Sequence, residues 1–190
     1  MILPGILPFV REIIDRFVTT GSVAIDATAG NGNDTLYLAQ TAGSNGKVYS
    51  FDIQEKAKQN TMQKLQEQQL ADRVSFILDS HEHAASYIPA EEYPFLKAAV
   101  FNLGYLPKGD KTITTTGDTT IQAVNSLLSI MPSGSCIVLV IYHGHEEGKK
   151  EKQALESYAS QLNQQIVHVL RYEFINQQNN PPYIIAMEKK

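Results

Sequence analysis

At 190 residues, with 43% hydrophobic and 19% charged side chains, the chain reads as one ordinary globular domain over residues 1–190, long enough to bury a core of useful size. A formal net charge of -4 argues against a general nucleic-acid binder while leaving room for a local basic rim. No apolar run reaches the ~18 residues of a membrane helix. The single cysteine, Cys136, excludes an internal disulfide, so a reducing, cytoplasmic setting is expected.

The first ten residues are apolar but lack a basic leader and run into Arg11, Glu12, Asp15 and Arg16, which marks a first helix rather than a signal peptide. Phe9, Val10, Ile13, Ile14, Phe17 and Val18 place that helix over residues 9–20, beside the sheet. Residues 23–26 form a short buried strand closing on Asp26, and the turn Thr28-Ala-Gly-Asn-Gly-Asn-Asp34 leads into a helix over 34–42. A second strand, 47–53, carries Asp52 at its tip. A polar covering helix follows over 55–70, anchored by Met62, Leu65 and Leu70.

Strand three, 74–78, ends on Asp79-Ser80-His81, and a loop punctuated by Pro89 and Pro94 leads to strand four, 96–103. A polar loop over 108–116 precedes a helix over 118–131. Strand five, 136–142, is a continuous apolar run, as expected of a parallel strand covered on both faces, and it makes Cys136 a packing residue. A charged helix over 147–163 is followed by a hairpin of strands 166–175 and 183–187. Alternating strands and helices predict an α/β fold with a doubly wound, mostly parallel sheet and an antiparallel last strand.

In such a sheet, ligands bind beyond the carboxyl ends of the strands, and Asp26, Asp52, Asp79, Asn102 and Tyr142 all stand at those ends. Each taken alone is as readily a helix cap. The first turn fails the dinucleotide fingerprint G-x-G-x-x-G because Thr35 replaces its third glycine, and no P-loop lysine is present. The pattern D-x-G-x-G-x-G of class I methyltransferases fits at Asp26, Gly30 and Gly32, with Thr28 in the first glycine position. The small turn lets backbone N–H groups approach a carboxylate, Asp52 is placed for a ribose, and Asp79-Ser80-His81 bracket a base. Paired histidines, His81 with His83 and His143 with His145, raise a metal site, but no cysteine cluster accompanies them and none is expected.

Over nearly its whole length the chain resembles the small class I methyltransferases of the YtqB/MnmM type, labelled rRNA methylases. The resemblance rests on Leu7-Pro-Phe9, Asp26-Ala-Thr-Ala-Gly-Asn-Gly-Asn-Asp-Thr35, Asn102-Leu-Gly-Tyr-Leu-Pro107 with Gly109-Asp-Lys111, and Thr119-Thr-Ile121. It extends to Gly144-His-Glu-Glu-Gly-Lys149 and to Phe174-Ile-Asn-Gln177 with Pro181-Pro182. It departs from the family at Asn33, often His there, and at His143, often Pro.

The resemblance implies a Rossmann-like, seven-stranded class I methyltransferase using S-adenosylmethionine, and methylation of 5-aminomethyl-2-thiouridine at the tRNA wobble position. It implies cofactor binding by Asp26, Thr28, Gly30, Asn31, Gly32, Asn33, Asp34, Thr35, Asp52, Gln54, Asp79, Ser80, His81, Asn102 and Leu103. Catalysis falls to Asn102, Tyr105, Tyr142, His143 and His145, with Asn102 holding the amine, an aromatic packing on the base, and a histidine among the candidate proton acceptors. Substrate contacts are expected from Tyr105, Lys108, Lys111, Tyr142, Lys149, Lys150, Asn179 and Asn180. The lysines, Lys152 among them, read equally well as a solvated run paired with Glu146, Glu147 and Glu151. The expected partner is the anticodon region of tRNA, the expected protein a monomer or homodimer without a membrane. Methylation of rRNA or of a small amine, and a non-catalytic cofactor-binding module, are the alternative functions.

Overall fold

The computed structural model describes residues 2–104, 115–144 and 146–190. The short apolar runs become strands β1 (Val23–Asp26), β2 (Lys47–Phe51), β3 (Val74–Ile77), β4 (Leu96–Leu103), β5 (Ser135–Ile141), β6 (Val167–Tyr172) and β7 (Tyr183–Lys189). Between them lie helices α1 (Ile6–Phe17), α2 (Asn33–Ala42), α3 (Glu55–Glu67), α4 (Gly117–Ile130) and α5 (Glu146–Gln161). The seven strands form one sheet in the order β3-β2-β1-β4-β5-β7-β6. All pairings are parallel except those of β7 with β5 and β6, as the sequence predicts.

Strand period sorts the core into two layers. Ile25, Phe51, Phe101, Ile137 and Leu139 face Val124 and Leu127 of α4 and Leu155 of α5. Ala24, Val48, Val100 and Val138 face Ile14, Leu38 and Leu65 of α1, α2 and α3. Every residue of β5 is buried, because β4 and β7 flank it and helices cover both faces. Cys136 lies in that strand, and burial pushes its thiol up to about 12, which fits packing rather than reactivity.

Several boundaries differ from expectation, at α1, after β3 and at β6 most clearly. Helix α1 starts earlier, at Ile6, because Pro8 falls within the first turn, where a missing N–H costs nothing. It stops at Phe17, since Val18 is already extended and Ser22 Oγ accepts from the Thr19 N–H in the turn that follows. The segment expected as a loop after β3 holds two 3₁₀ stretches, His81–Tyr87 and Ala90–Phe95. Strand β6 ends at Tyr172, paired with Ile184, since Pro181 and Pro182 ahead of β7 have no N–H to extend the ladder.

The strand order reverses between β1 and β4. The chain moves outward from β1 through β2 to β3, then crosses back to β4, and this leaves a crevice beyond the carboxyl ends of β1 and β4. No helix among the described residues is long and apolar enough to cross a membrane.

Candidate active site

The turn after β1 is held from below. Asp26 is buried, and its carboxylate accepts from the Thr28 N–H at 3.1 Å and from Thr35 Oγ1 at 2.5 Å, while Thr35 also pairs with Ser50 Oγ at 2.8 Å. Burial and the neighbouring Asp34 raise the Asp26 pKa. Gly32 has φ +73°, and a Cβ there would stand 2.8 Å from Thr61 Cα of α3, so both backbone and space demand glycine. The turn therefore passes close under α3 and delivers the N-terminus of α2, with its unpaired N–H groups, to the crevice.

Neighbouring strand tips tie into this turn. Asp52 accepts from the Gly30 N–H at 3.0 Å and the Gln54 N–H at 2.9 Å, and burial raises its pKa. Asp79 accepts from Tyr87 Oη at 2.8 Å and from the Ser80 N–H, and its pKa is lowered, chiefly by the Tyr87 donor. The His81 ring is buried edge-on against Phe101 at 5.4 Å, and burial lowers its pKa to about 4, so the ring is neutral at pH 7.

The tips of β4 and β5 complete the wall. The Asn102 N–H donates to Thr28 Oγ1 at 2.7 Å and its Nδ2 donates to Asp34, while its Oδ1 is buried and has no hydrogen-bond partner among the described residues. Gly104 adopts φ +147° beside Tyr142, whose pKa is raised by burial and by Asp34. His143 is buried against Tyr183, ring centroids 5.5 Å apart, with Nδ1 unpartnered among the described residues. Burial first and Lys152 second lower its pKa.

A cleft of about 850 Å³ joins these groups. It is lined by Thr28, Gly30, Asn31, Asn33 and Asp34 from the first turn and α2, and by Asp52, Gln54, Asp79, Ser80 and His81 from the β2 and β3 ends. Asn102, Leu103, Tyr142 and His143 line it from β4 and β5, and Asn180 from the β6–β7 connection. Asp26, Gly32 and Thr35 are not in the lining; they support the turn from behind. Asn179 is not in the lining either. Lys149 and Lys150 are exposed and pair with Glu146 at 2.6 Å and Glu147 at 2.9 Å, the solvated arrangement the sequence allowed. Tyr105, Lys108, Lys111 and His145 lie outside the described residues.

The sequence reading missed Leu7, Arg11, Ile53, Thr115, Thr116 and Thr119 in the lining. Leu7 and Arg11 are four apart on α1 and so share a face, which the expected helix over 9–20 hid by starting after Leu7. Among the described lining residues Arg11 is the one Lys or Arg, set against Asp34, Asp52 and Asp79. Thr119 belongs to a motif of the resemblance but was given no site role, and Thr115 and Thr116 carried no signal, since all three reach the cleft only through the packing of α4. The two departures from the family pattern have partners of their own: Asn33 accepts from Lys64, and His143 packs on Tyr183. Among the described residues no group of three or more His, Cys, Asp or Glu side chains is placed to hold a metal ion.

Comparison with known proteins places this geometry. The family described as "Putative rRNA methylase" matches residues 48–188. A chloroplastic tRNA (mnm(5)s(2)U34)-methyltransferase of Arabidopsis thaliana is 30% identical over 184 residues, 93% of this chain, and the chain spans 66% of that protein's length. A "putative rRNA-methylase" from Clostridium thermocellum superposes with a TM-score of 0.95 at 42% identity, covering 99% of both chains. A "putative methyltransferase" from Streptococcus mutans, solved in complex with SAH, superposes with a TM-score of 0.89 at 34% identity, again over 99% of both chains.

Proposed function

The chain belongs to the rRNA methylase family, with the class I methyltransferase fold, and from that premise we propose that it transfers a methyl group from S-adenosylmethionine to an amine on RNA. The finer reading is that the amine belongs to 5-aminomethyl-2-thiouridine at the tRNA wobble position, which the name of the Arabidopsis relative supports. The observation that carries the proposal is the buried, unpartnered Oδ1 of Asn102, in a cleft built around the turn after β1. The single seven-stranded sheet supports reading residues 1–190 as one domain.

The lining residues fit the cofactor's chemistry. N–H groups at the start of α2 suit its carboxylate, Arg11 adds a positive charge, and Asp52 has lone pairs left for ribose hydroxyls. Ser80 and His81, with the exposed apolar Ile53, suit a flat base. When bound, S-adenosylmethionine supplies an electrophilic methyl group. An alkyl amine arrives protonated, so the protein has to desolvate it, orient it and take its proton. Asn102 Oδ1 accepts an N–H of the amine and fixes its direction. Tyr142, 37% exposed at the β5 tip, offers a face for the base. His143, with a lowered pKa and a free Nδ1, is the proton acceptor among the described residues.

Mass spectrometry of nucleosides tests this reading. Purified protein with S-adenosylmethionine and tRNA from cells lacking the gene is expected to convert 5-aminomethyl-2-thiouridine to its methylated form. Methylation confined to rRNA would replace the substrate, as the family description suggests. No transfer to either RNA, with the cofactor still bound, would leave a binding module.

A further inference from the structure

The hydrogen bond from Asn102 Nδ2 to Asp34 spans 68 residues of chain and joins the tip of β4 to the first turn of α2. Asn102 is also fixed through its backbone, whose N–H donates to Thr28 Oγ1 at 2.7 Å. A primary amide has its donors on nitrogen and its acceptor lone pairs on oxygen. With Nδ2 committed to a carboxylate, the oxygen has to face the other way. That oxygen is buried, has no partner among the described residues, and belongs to a residue lining the cleft.

Turning the amide over would set Oδ1 against the Asp34 carboxylate, lone pair against lone pair. Asp34 therefore leaves the amide only one stable orientation. A buried acceptor without a donor is unfavourable, and at the wall of a cleft a bound water or a ligand can supply the missing donor. The carboxylate behind the amide also draws its dipole outward, so that Oδ1 becomes a stronger acceptor. Burial raises the Asp34 pKa, while the charges of Arg11 on α1 and Lys64 on α3, with the Asn102 donor, favour its carboxylate form.

Resting on the methyl-transfer reading of this cleft, we propose that Asp34 is a positioning residue, which locks the Asn102 amide with Oδ1 toward the acceptor and so selects a charged alkyl amine over a hydroxyl. Asp34 acts through Asn102 and not through the cofactor. A charge-assisted hydrogen bond holds more tightly than a neutral one. The ammonium form of an amine gains most from an oxygen polarised by a carboxylate, while a neutral hydroxyl gains less.

The test uses the full chain with Asp34→Asn and Asp34→Ala. Asn at position 34 retains an acceptor for Asn102 Nδ2 but removes the charge; Ala removes both. The first readout is the side-chain amide resonance of Asn102 in a 15N-labelled sample, assigned by its disappearance in Asn102→Ala. It is expected to move upfield in D34N and further in D34A. The second readout is S-adenosylhomocysteine affinity by calorimetry, which is expected to stay within about threefold in D34N and also reports that the variant is folded. The third is methyl transfer at saturating cofactor, expected to fall about tenfold in D34N, the loss of one charge-assisted bond, and further in D34A.

An Asn102 resonance that does not move in either variant would overturn the proposal. So would a tenfold loss of cofactor affinity in D34N with turnover unchanged at saturation, which would make Asp34 a cofactor contact. If the wild-type protein methylates no RNA amine, the functional reading fails, while the resonance still decides whether Asp34 orients Asn102.

Discussion

His81 shows what burial does to a single ionisable ring. Packed against Phe101 and out of water, it has a pKa of about 4 against 6.5 in a free chain. The folded state therefore binds its proton less readily than the unfolded state. The stability this residue contributes is fully present above pH 6.5 and is lost as pH falls through about 4, up to roughly 3 kcal/mol. We expect His81→Phe, which keeps the aromatic contact, to gain on the wild type by about 2–3 kcal/mol between pH 7 and pH 4 in urea denaturation. A wild-type-to-variant difference that stays flat with pH would place the ring in water. Asp26 runs the opposite way, its raised pKa giving stability that is present at low pH and lost as pH rises, but it is common to both proteins and cancels. The cluster Asp79-Ser80-His81 was legible at the β3 end, whereas the burial of its imidazole was not, since it depends on Phe101 of β4, three strands away across the sheet.

Among the elements, α5 separates from its sequence reading most instructively. Its charged face is solvated, with Lys149 and Lys150 paired to acids one turn back, but Glu151 in the middle of that run turns inward and is 3% exposed. Its carboxylate accepts from Thr115 Oγ1 at 2.9 Å and Thr120 Oγ1 at 3.1 Å, and Thr115 in turn exchanges hydrogen bonds with the backbone of Gly104. Thus α5 fastens the end of β4, two residues from Asn102. Charge patterning cannot reveal this, because a glutamate pointing inward has the same spacing as its exposed neighbours; only the approach of α4, with Gly117 tight against Ala154, marks it. Burial raises the Glu151 pKa, so its contribution to stability is greatest below its unfolded pKa and is lost as pH rises. Glu151→Gln, which keeps an acceptor without the buried charge, is expected to be at least as stable as the wild type at pH 7. Glu151→Ala strands two threonine hydroxyls and is expected to lose about 1–3 kcal/mol in the same denaturation experiment. If the glutamine variant fell as far as the alanine one, the charge itself would be required.

At the scale of the whole molecule, the parallel character of the sheet was legible because apolar runs of four to eight residues alternated with amphipathic ones, and the edge that carries the site was legible from the polar residues at the strand ends. The strand order, with its reversal between β1 and β4, was not. What the order could not supply was the division of labour among the acids. Asp26 and Asp52 stand at equivalent strand tips, yet Asp26 is turned wholly into the protein while Asp52 reaches the cleft and also holds the backbone of Gly30, 22 residues away. The cleft draws its lining from the ends of five strands, from α1 and from the β6–β7 connection, so a ligand filling it braces both halves of the sheet. Such a ligand stabilises the fold by mass action, by about 2.7 kcal/mol at a hundredfold excess over its Kd, or about 5–10 °C in Tm for a chain of this size. S-adenosylhomocysteine is therefore expected to raise the wild-type Tm by that amount. Asp52→Ala is expected to lower the ligand-free Tm, since two N–H groups lose their acceptor, and to abolish most of the ligand's increment. The two effects separate in one pair of melting curves: a lowered starting point with a full increment would leave Asp52 holding the turn without touching the ligand, and a lost increment assigns it both tasks.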